Sequence, residues 1–157
     1  MATATMLARR DGTNSSTPFT ANMRIAAPSF LLFGASKSVV ATHANGSLLS
    51  PASLSVPGYP FTPAQAGETV VLYAVGFGIP TTSLVDGSAT QSGALPTLPV
   101  VQIGGAAVVV QFAGVISPGL YQFNVIVPTM AANGDNPLTA SYGGLTTPAG
   151  SVIAVQR

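Results

Sequence analysis

Hydrophobic positions in this chain come in short runs. The segments "SVVATHA" (38–44), "TVVLYAVGF" (69–77), "LPVVQIGG" (98–105), "AAVVVQFAG" (106–114), "LYQFNVIVP" (120–128), "PLTASYGG" (137–144) and "SVIAVQ" (151–156) are rich in β-branched and aromatic residues. Turn-forming Gly, Pro, Ser, Thr and Asn lie between them. In "LYQFNVIVP", Tyr121, Phe123, Val125 and Val127 alternate with Gln122, Asn124 and Ile126. That period of two places the first set on a core face. Runs of about 5 to 9 residues at near-regular spacing predict an all-β sandwich. The 13 prolines and 17 glycines leave no interval for a helix of ordinary length.

The stretch "GETVVLYAVGFGIP" (67–80) offers two readings, a phosphate-holding loop or a strand ending in a corner. Val70, Leu72 and Ala74 alternate with Val71, Tyr73 and Val75, so both faces are largely apolar, as in a central strand. Gly76 and Gly78 then let the backbone turn, and Pro80 ends the pairing. A phosphate loop needs a following helix and usually Lys-Ser or Lys-Thr, and neither is present. The corner is the better reading. Gly104-Gly105, Asn45-Gly46 and Asp11-Gly12 carry the signal of two-residue hairpin turns, and Gly143-Gly144 is expected to join the last two strands.

Charge is unusually sparse. Only 6% of the residues are Asp, Glu, Lys or Arg, against roughly 25% in ordinary soluble domains. A net charge of +1 cannot track a phosphate backbone, so nucleic acid is excluded as a partner. So few charges also provide little repulsion between copies. No apolar run approaches the ~20 residues that a membrane-spanning helix needs, and the longest, such as 106–110, have strand length. With no cysteine, disulfides, thiolate metal sites and cysteine catalysis drop out. "MATATMLARRDG" is not built as a signal peptide. The chain is therefore expected either to stay inside the cell or to be a mature piece of an exported protein.

The beginning echoes the end. "LARRDGTNSSTPFTANMR" (7–24) and "LTASYGGLTTPAGSVIAVQR" (138–157) each contain a strand, a glycine turn, a Thr-Pro step, a second strand and an arginine. Residues 1–26 are accordingly read as an additional hairpin, the closing element of a preceding, similar module, and residues 27–157 as the sandwich domain. The apolar residues of that hairpin and its exit, Leu7, Phe19, Met23 and Ile25, are the candidates for assembly contacts. A neighbouring copy's sandwich is the expected acceptor of the hairpin, by strand addition.

Five motifs, "APSFLLF", "NGSLLSPAS", "GETVVLYAVGFG", "VVQIGGAAVVVQFAG" and "SPGLYQFNVIVP", resemble in order the uncharacterised C-terminal domain of secreted proteins of Solibacter-type acidobacteria. The resemblance covers about residues 24–157. "GETVVLYAVGFG" is also similar to the opening of IPT/TIG immunoglobulin-like domains. What the resemblance implies is an immunoglobulin-like sandwich at the end of large exported proteins, with no established activity and no catalytic residues to carry over.

Candidate chemistry is thin. His43 is the only histidine, and as a base it needs a nucleophile and an orienting carboxylate. No Gly-x-Ser-x-Gly elbow exists, so a strand-end histidine beside a turn is expected. The carboxylates Asp11, Glu68, Asp86 and Asp135 mostly touch a glycine and read as turn residues. "NGDN" (133–136) offers oxygens for calcium but lacks an Asp-x-Asp repeat, and a solvated turn is the better reading. Asn14-Ser15-Ser16 and Asn45-Gly46-Ser47 fit a glycosylation pattern that arises by chance in so Ser-rich a chain. Tyr59 and Phe61, stiffened by Pro57, Pro60 and Pro63, are the candidate ligand-binding residues. The favoured alternative folds both rings over the end of the sandwich. The expectation is a non-catalytic extracellular or cell-surface module, without metal or cofactor, whose partners are copies of itself in a layer or filament. A carbohydrate-binding or adhesive module, with cell-surface glycans as partners, is the alternative.

Overall fold

The computed structural model describes residues 2–6, 9–10, 14–15 and 17–157, with side chains at 5, 17–20 and 24–157. Among the described residues all the regular structure is β except for one 3-10 turn, Ala52–Leu54. Four strands precede the sandwich: β1 (Ala2–Met6), β2 (Arg9–Arg10), β3 (Asn14–Ser15) and β4 (Phe19–Met23). One sheet then collects β5 (Ser29–Phe30), β6 (Ala41–His43), β7 (Leu48–Leu49), β9 (Thr69–Val75), β10 (Gly93–Ala94), β13 (Val110–Ser117) and β14 (Leu120–Ile126). Its order is β10-β13-β14-β9-β6-β7, with β5 on the upper half of β9. A second sheet holds β8 (Ala64–Gln65), β11 (Val100–Ile103), β12 (Ala106–Ala107), β15 (Gly134–Tyr142), β16 (Leu145–Thr146) and β17 (Val152–Gln156). It runs β12-β11-β15-β17-β8 with β16 on β15, and β17 pairs with β8 in parallel. The fold is a β-sandwich of one antiparallel and one mixed sheet.

The central pair explains why. β9 and β14 align antiparallel from Tyr121 opposite Ala74 to Ile126 opposite Thr69. Every second residue of each points inward: Val70, Leu72 and Ala74 from one, Tyr121, Phe123 and Val125 from the other. They meet Val101, Ile103, Leu138, Ile153 and Val155 of the facing sheet in a single cluster. Leu72, Phe123, Ile103, Leu138 and Ile153 are fully buried, each adding about 1.5–3 kcal/mol by leaving water.

Beyond Val75 the chain turns as the glycines require. Gly76 and Gly78 adopt φ of 75° and 91°, and between them Phe77 drops into the core with no exposed surface. Its ring packs edge-on against Phe123 at 4.6 Å and tilts against Phe30, Tyr121 and Tyr142. The Tyr121 hydroxyl donates to the Gly78 carbonyl, and burial pushes its phenol above the ordinary 10.0. A third element uses the same corner: the Ala27 N–H donates to the Gly76 carbonyl at 2.8 Å.

Two details differ from the sequence expectation. The apolar run 106–114 is not one strand. Ala106–Ala107 pairs with β11 in one sheet, whereas Val110–Ser117 pairs with β14 in the other. The crossing is direct: Val108 N–H bonds to Val101 O and Ile126 N–H to Val109 O. Likewise Gly143-Gly144 closes β15 onto the short β16, and β17 follows only after Thr147-Pro148. At the other end of the chain, β1 pairs antiparallel with β4 and β2 with β3, each pair as its own two-stranded sheet. In the C-terminal segment, by comparison, β16 folds on one end of the single strand β15 and β17 pairs with its other end, within the larger sheet. The expected Asp11-Gly12 turn lies outside the described residues.

The corner yields a discriminating substitution test. A Cβ on Gly76 would sit 2.0 Å from the Ala27 carbonyl oxygen, so Gly76→Ala combines positive-φ strain with a backbone clash. Urea unfolding is expected to show a loss of roughly 3 kcal/mol. Gly105→Ala has a similar φ of 82° but open space around it, and is expected to lose only about 1 kcal/mol. Equal losses would show that the Ala27 contact contributes nothing.

Candidate functional site

A groove of about 550 Å³ opens at the edge of the sandwich. It is lined by His43 and Asn45 from the end of β6, Thr62 and Gln65 around β8, and Glu68 at the start of β9. The pairing of His43 with Val70 brings the end of β6 beside the start of β9. There His43 Nδ1 lies 2.8 Å from Glu68 Oε1. On the other side of the ring, Nε2 faces Thr62 Oγ1 at 2.9 Å and the Thr62 carbonyl at 3.2 Å. Nothing near His43 in the chain points to its carboxylate partner. Glu68 is 25 residues away, and only the β6–β9 pairing brings the two together.

A carboxylate, an imidazole and a hydroxyl in line have the outline of a nucleophilic relay, and the surroundings argue against that use. The Glu68 carboxylate can only accept, so Nδ1 carries the proton toward it and Nε2 of the neutral ring accepts from the Thr62 hydroxyl. Acyl transfer also requires free N–H donors for a developing oxyanion. Here the N–H groups of His43, Gly46, Thr62, Gly67 and Glu68 are bonded to the carbonyls of Ser47, His43, Leu48, Val127 and Gln65, and that of Ser47 to Asn45 Oδ1. The arrangement reads as a clip tying the 60–65 segment to β6 and β9.

No cluster of three or more His, Cys, Asp or Glu exists among the described residues. In "NGDN" the side-chain oxygens serve the fold. Asn133 Oδ1 accepts from Arg157 N–H at 2.7 Å. Asn136, buried, accepts from Ala132 N–H and donates to the Ala132 and Gly134 carbonyls.

The two aromatic candidates part company. Phe61 is half-buried and packs edge-on against Phe33 at 5.0 Å. Tyr59 is 62% exposed, contrary to the expectation that both rings fold over the sandwich. The reason is local: Val56 and Tyr59 exchange two backbone bonds, closing a tight turn with Tyr59 on its outer side. Of the assembly candidates, Phe19 is 64% and Ile25 is 82% exposed. Met23 is described as β4 backbone only, and Leu7 lies outside the described residues. A small groove of about 230 Å³, lined by Ile25, Ala26, Gly78, Ile79, Tyr142 and Gly143, lies where the hairpin's exit meets the Gly76–Gly78 corner.

If His43 is a clip, its loss changes stability and not reactivity. His43→Ala and Glu68→Gln are each expected to lose about 1 kcal/mol in urea unfolding, with the double variant losing less than the sum. Hydrolysis of an activated ester by the parent chain stays at the buffer rate, and a rate above buffer that vanishes in Thr62→Val would contradict the clip. No helix among the described residues is long and apolar enough to cross a membrane. Set beside known proteins, the chain matches no family model, no curated protein and no solved structure.

Proposed function

We propose that the protein is a non-catalytic structural module of the cell exterior, whose copies associate by strand pairing into a surface layer or filament. The observation that carries this reading is the N-terminal hairpin. β1 and β4 pair with each other and with no other described strand, and Phe19 and Ile25 beside them are exposed. A two-stranded hairpin is at best marginally stable by itself, so it calls for a partner. The low charge supports the reading, because natural sheets usually guard open edges with Lys, Pro or bulges. So does the resemblance of the five sequence motifs to the terminal domains of exported acidobacterial proteins. The internal echo in the sequence supports reading 1–26 as the closing segment of another such module.

A second reading, an adhesive or carbohydrate-binding module, rests on one observation: the exposed Tyr59 ring on a turn held by backbone bonds and neighbouring prolines. Binding to a glycan array that Tyr59→Ala abolishes would favour it. On the reading proposed first, no glycan is retained and Tyr59→Ala changes nothing.

Light scattering tests the self-association. The full chain is expected to form large species, and deletion of residues 1–26 is expected to leave a monomer with an unchanged β-type circular dichroism spectrum. Ala21→Pro in the intact chain removes a backbone donor from β4 and should shift the distribution the same way. A full chain that stays monomeric at high concentration contradicts the reading.

A further inference from the structure

Among the described strands, the edges differ sharply in what they offer a partner. Both sandwich sheets end in two-residue strands: β10 and β7 in one, β12 and β8 in the other. β7 is further covered by Thr62, whose N–H bonds to Leu48 O while its carbonyl accepts from Ser50 N–H. Beside β10, the longer strand β13 is interrupted by two register shifts. Short and bulged edges are poor templates for strand addition. The hairpin is the opposite case. β1 and β4 are each five residues long, pair without a shift over their full length, and have no described strand on either outer side.

The register adds a second, independent property. At alternate positions the paired residues are Ala2 with Met23, Ala4 with Ala21 and Met6 with Phe19, all apolar. The intervening pairs, Thr3 with Asn22 and Thr5 with Thr20, are polar. Within a pleated pair, alternate residues share a face, so the ribbon is amphipathic by composition. Phe19 at its end is 64% exposed. Neither strand contains a charged residue, and the nearest charges, Arg9, Arg10, Asp11 and Arg24, lie beyond the strand ends.

We infer that the partner of this hairpin is the same hairpin in a second copy of the chain, joined edge to edge through the outer backbone of β1 and β4, rather than the sandwich of that copy. The inference rests on the self-association proposed above and names its contact surface. A ribbon with two open edges can add a copy on each side. Repeated addition gives a continuous sheet of hairpins with a sandwich hanging from each one. Heterologous pairing of this kind is open-ended unless its rotation closes a ring.

The chain has no cysteine, so single thiols report contacts in the intact protein without interference. Thr5→Cys and Thr20→Cys place them on exposed positions of β1 and β4. Ala94→Cys and Ala107→Cys place them on the exposed sandwich edges β10 and β12. All four are expected to keep the parent circular dichroism spectrum. Under mild oxidation at a concentration where large species form, Thr5→Cys and Thr20→Cys, alone or mixed, should form inter-chain disulfides roughly a hundredfold faster than the two sandwich variants. Assembly raises the local thiol concentration from micromolar to millimolar only at the contact. Hairpin-to-sandwich disulfides in mixed samples, or equal rates at all four positions, would overturn the inference while leaving self-association standing. Absence of large species at every concentration would remove both.

Discussion

The close approach of Ala27 to Gly76 is the constraint on which the arrangement depends. The Ala27 N–H reaches the Gly76 carbonyl at 2.8 Å, and there is room for this only because position 76 has no Cβ. The same turn sends Phe77 into the core, against aromatic rings from β5, β14 and β15, and offers its Gly78 carbonyl to Tyr121. The corner thus does two jobs. It closes the apolar core at the end of β9, and it fixes where the chain arriving from the hairpin joins the sandwich. The path that leads out to the exposed Ile25 starts from a backbone clamp and a packed ring.

From that junction the molecule divides in character. The sandwich is closed in the ordinary way, with a contiguous core, short edge strands and buried polar side chains that all find partners among the described residues. No Asp, Glu, Lys or Arg lies between Asp86 and Asp135, the stretch that supplies β10 to β14. Strand length and bulges are therefore what protect these edges, not charge. The hairpin has neither protection. That contrast within one chain is the physical reason for assigning association to the hairpin.

How much of this was legible in the sequence depended on the range of the signal. The core strands β9 and β14 were readable because a period of two over seven residues is a local property. The glycine corner was readable because Gly-Phe-Gly after a central strand has few other uses. The sheet change within 106–114 was not, since Ala and Val suit either sheet and the choice is made by hydrogen bonds to Val101 and Ile126. His43 looked solitary because its carboxylate arrives through strand pairing. Tyr59 was expected inside because its ring is apolar, but two backbone bonds at Val56 turn it outward. The resemblance between the two chain ends is a loose echo in the sequence, whereas the alternation of apolar and polar pairs across the hairpin required the register.

Amide hydrogen exchange in β1 and β4 as a function of protein concentration tests the central claim most directly. Pairing within one ribbon protects only the inward-facing N–H groups, whatever the concentration, while pairing between copies protects the outward ones by mass action. The account predicts that amides of Ala2–Met6 and Phe19–Met23 exchange quickly in dilute solution and gain protection as concentration rises, with β9 and β14 unchanged. Protection of the hairpin that is already complete at the lowest concentration and does not vary would show that it is held within its own molecule, and would contradict the account.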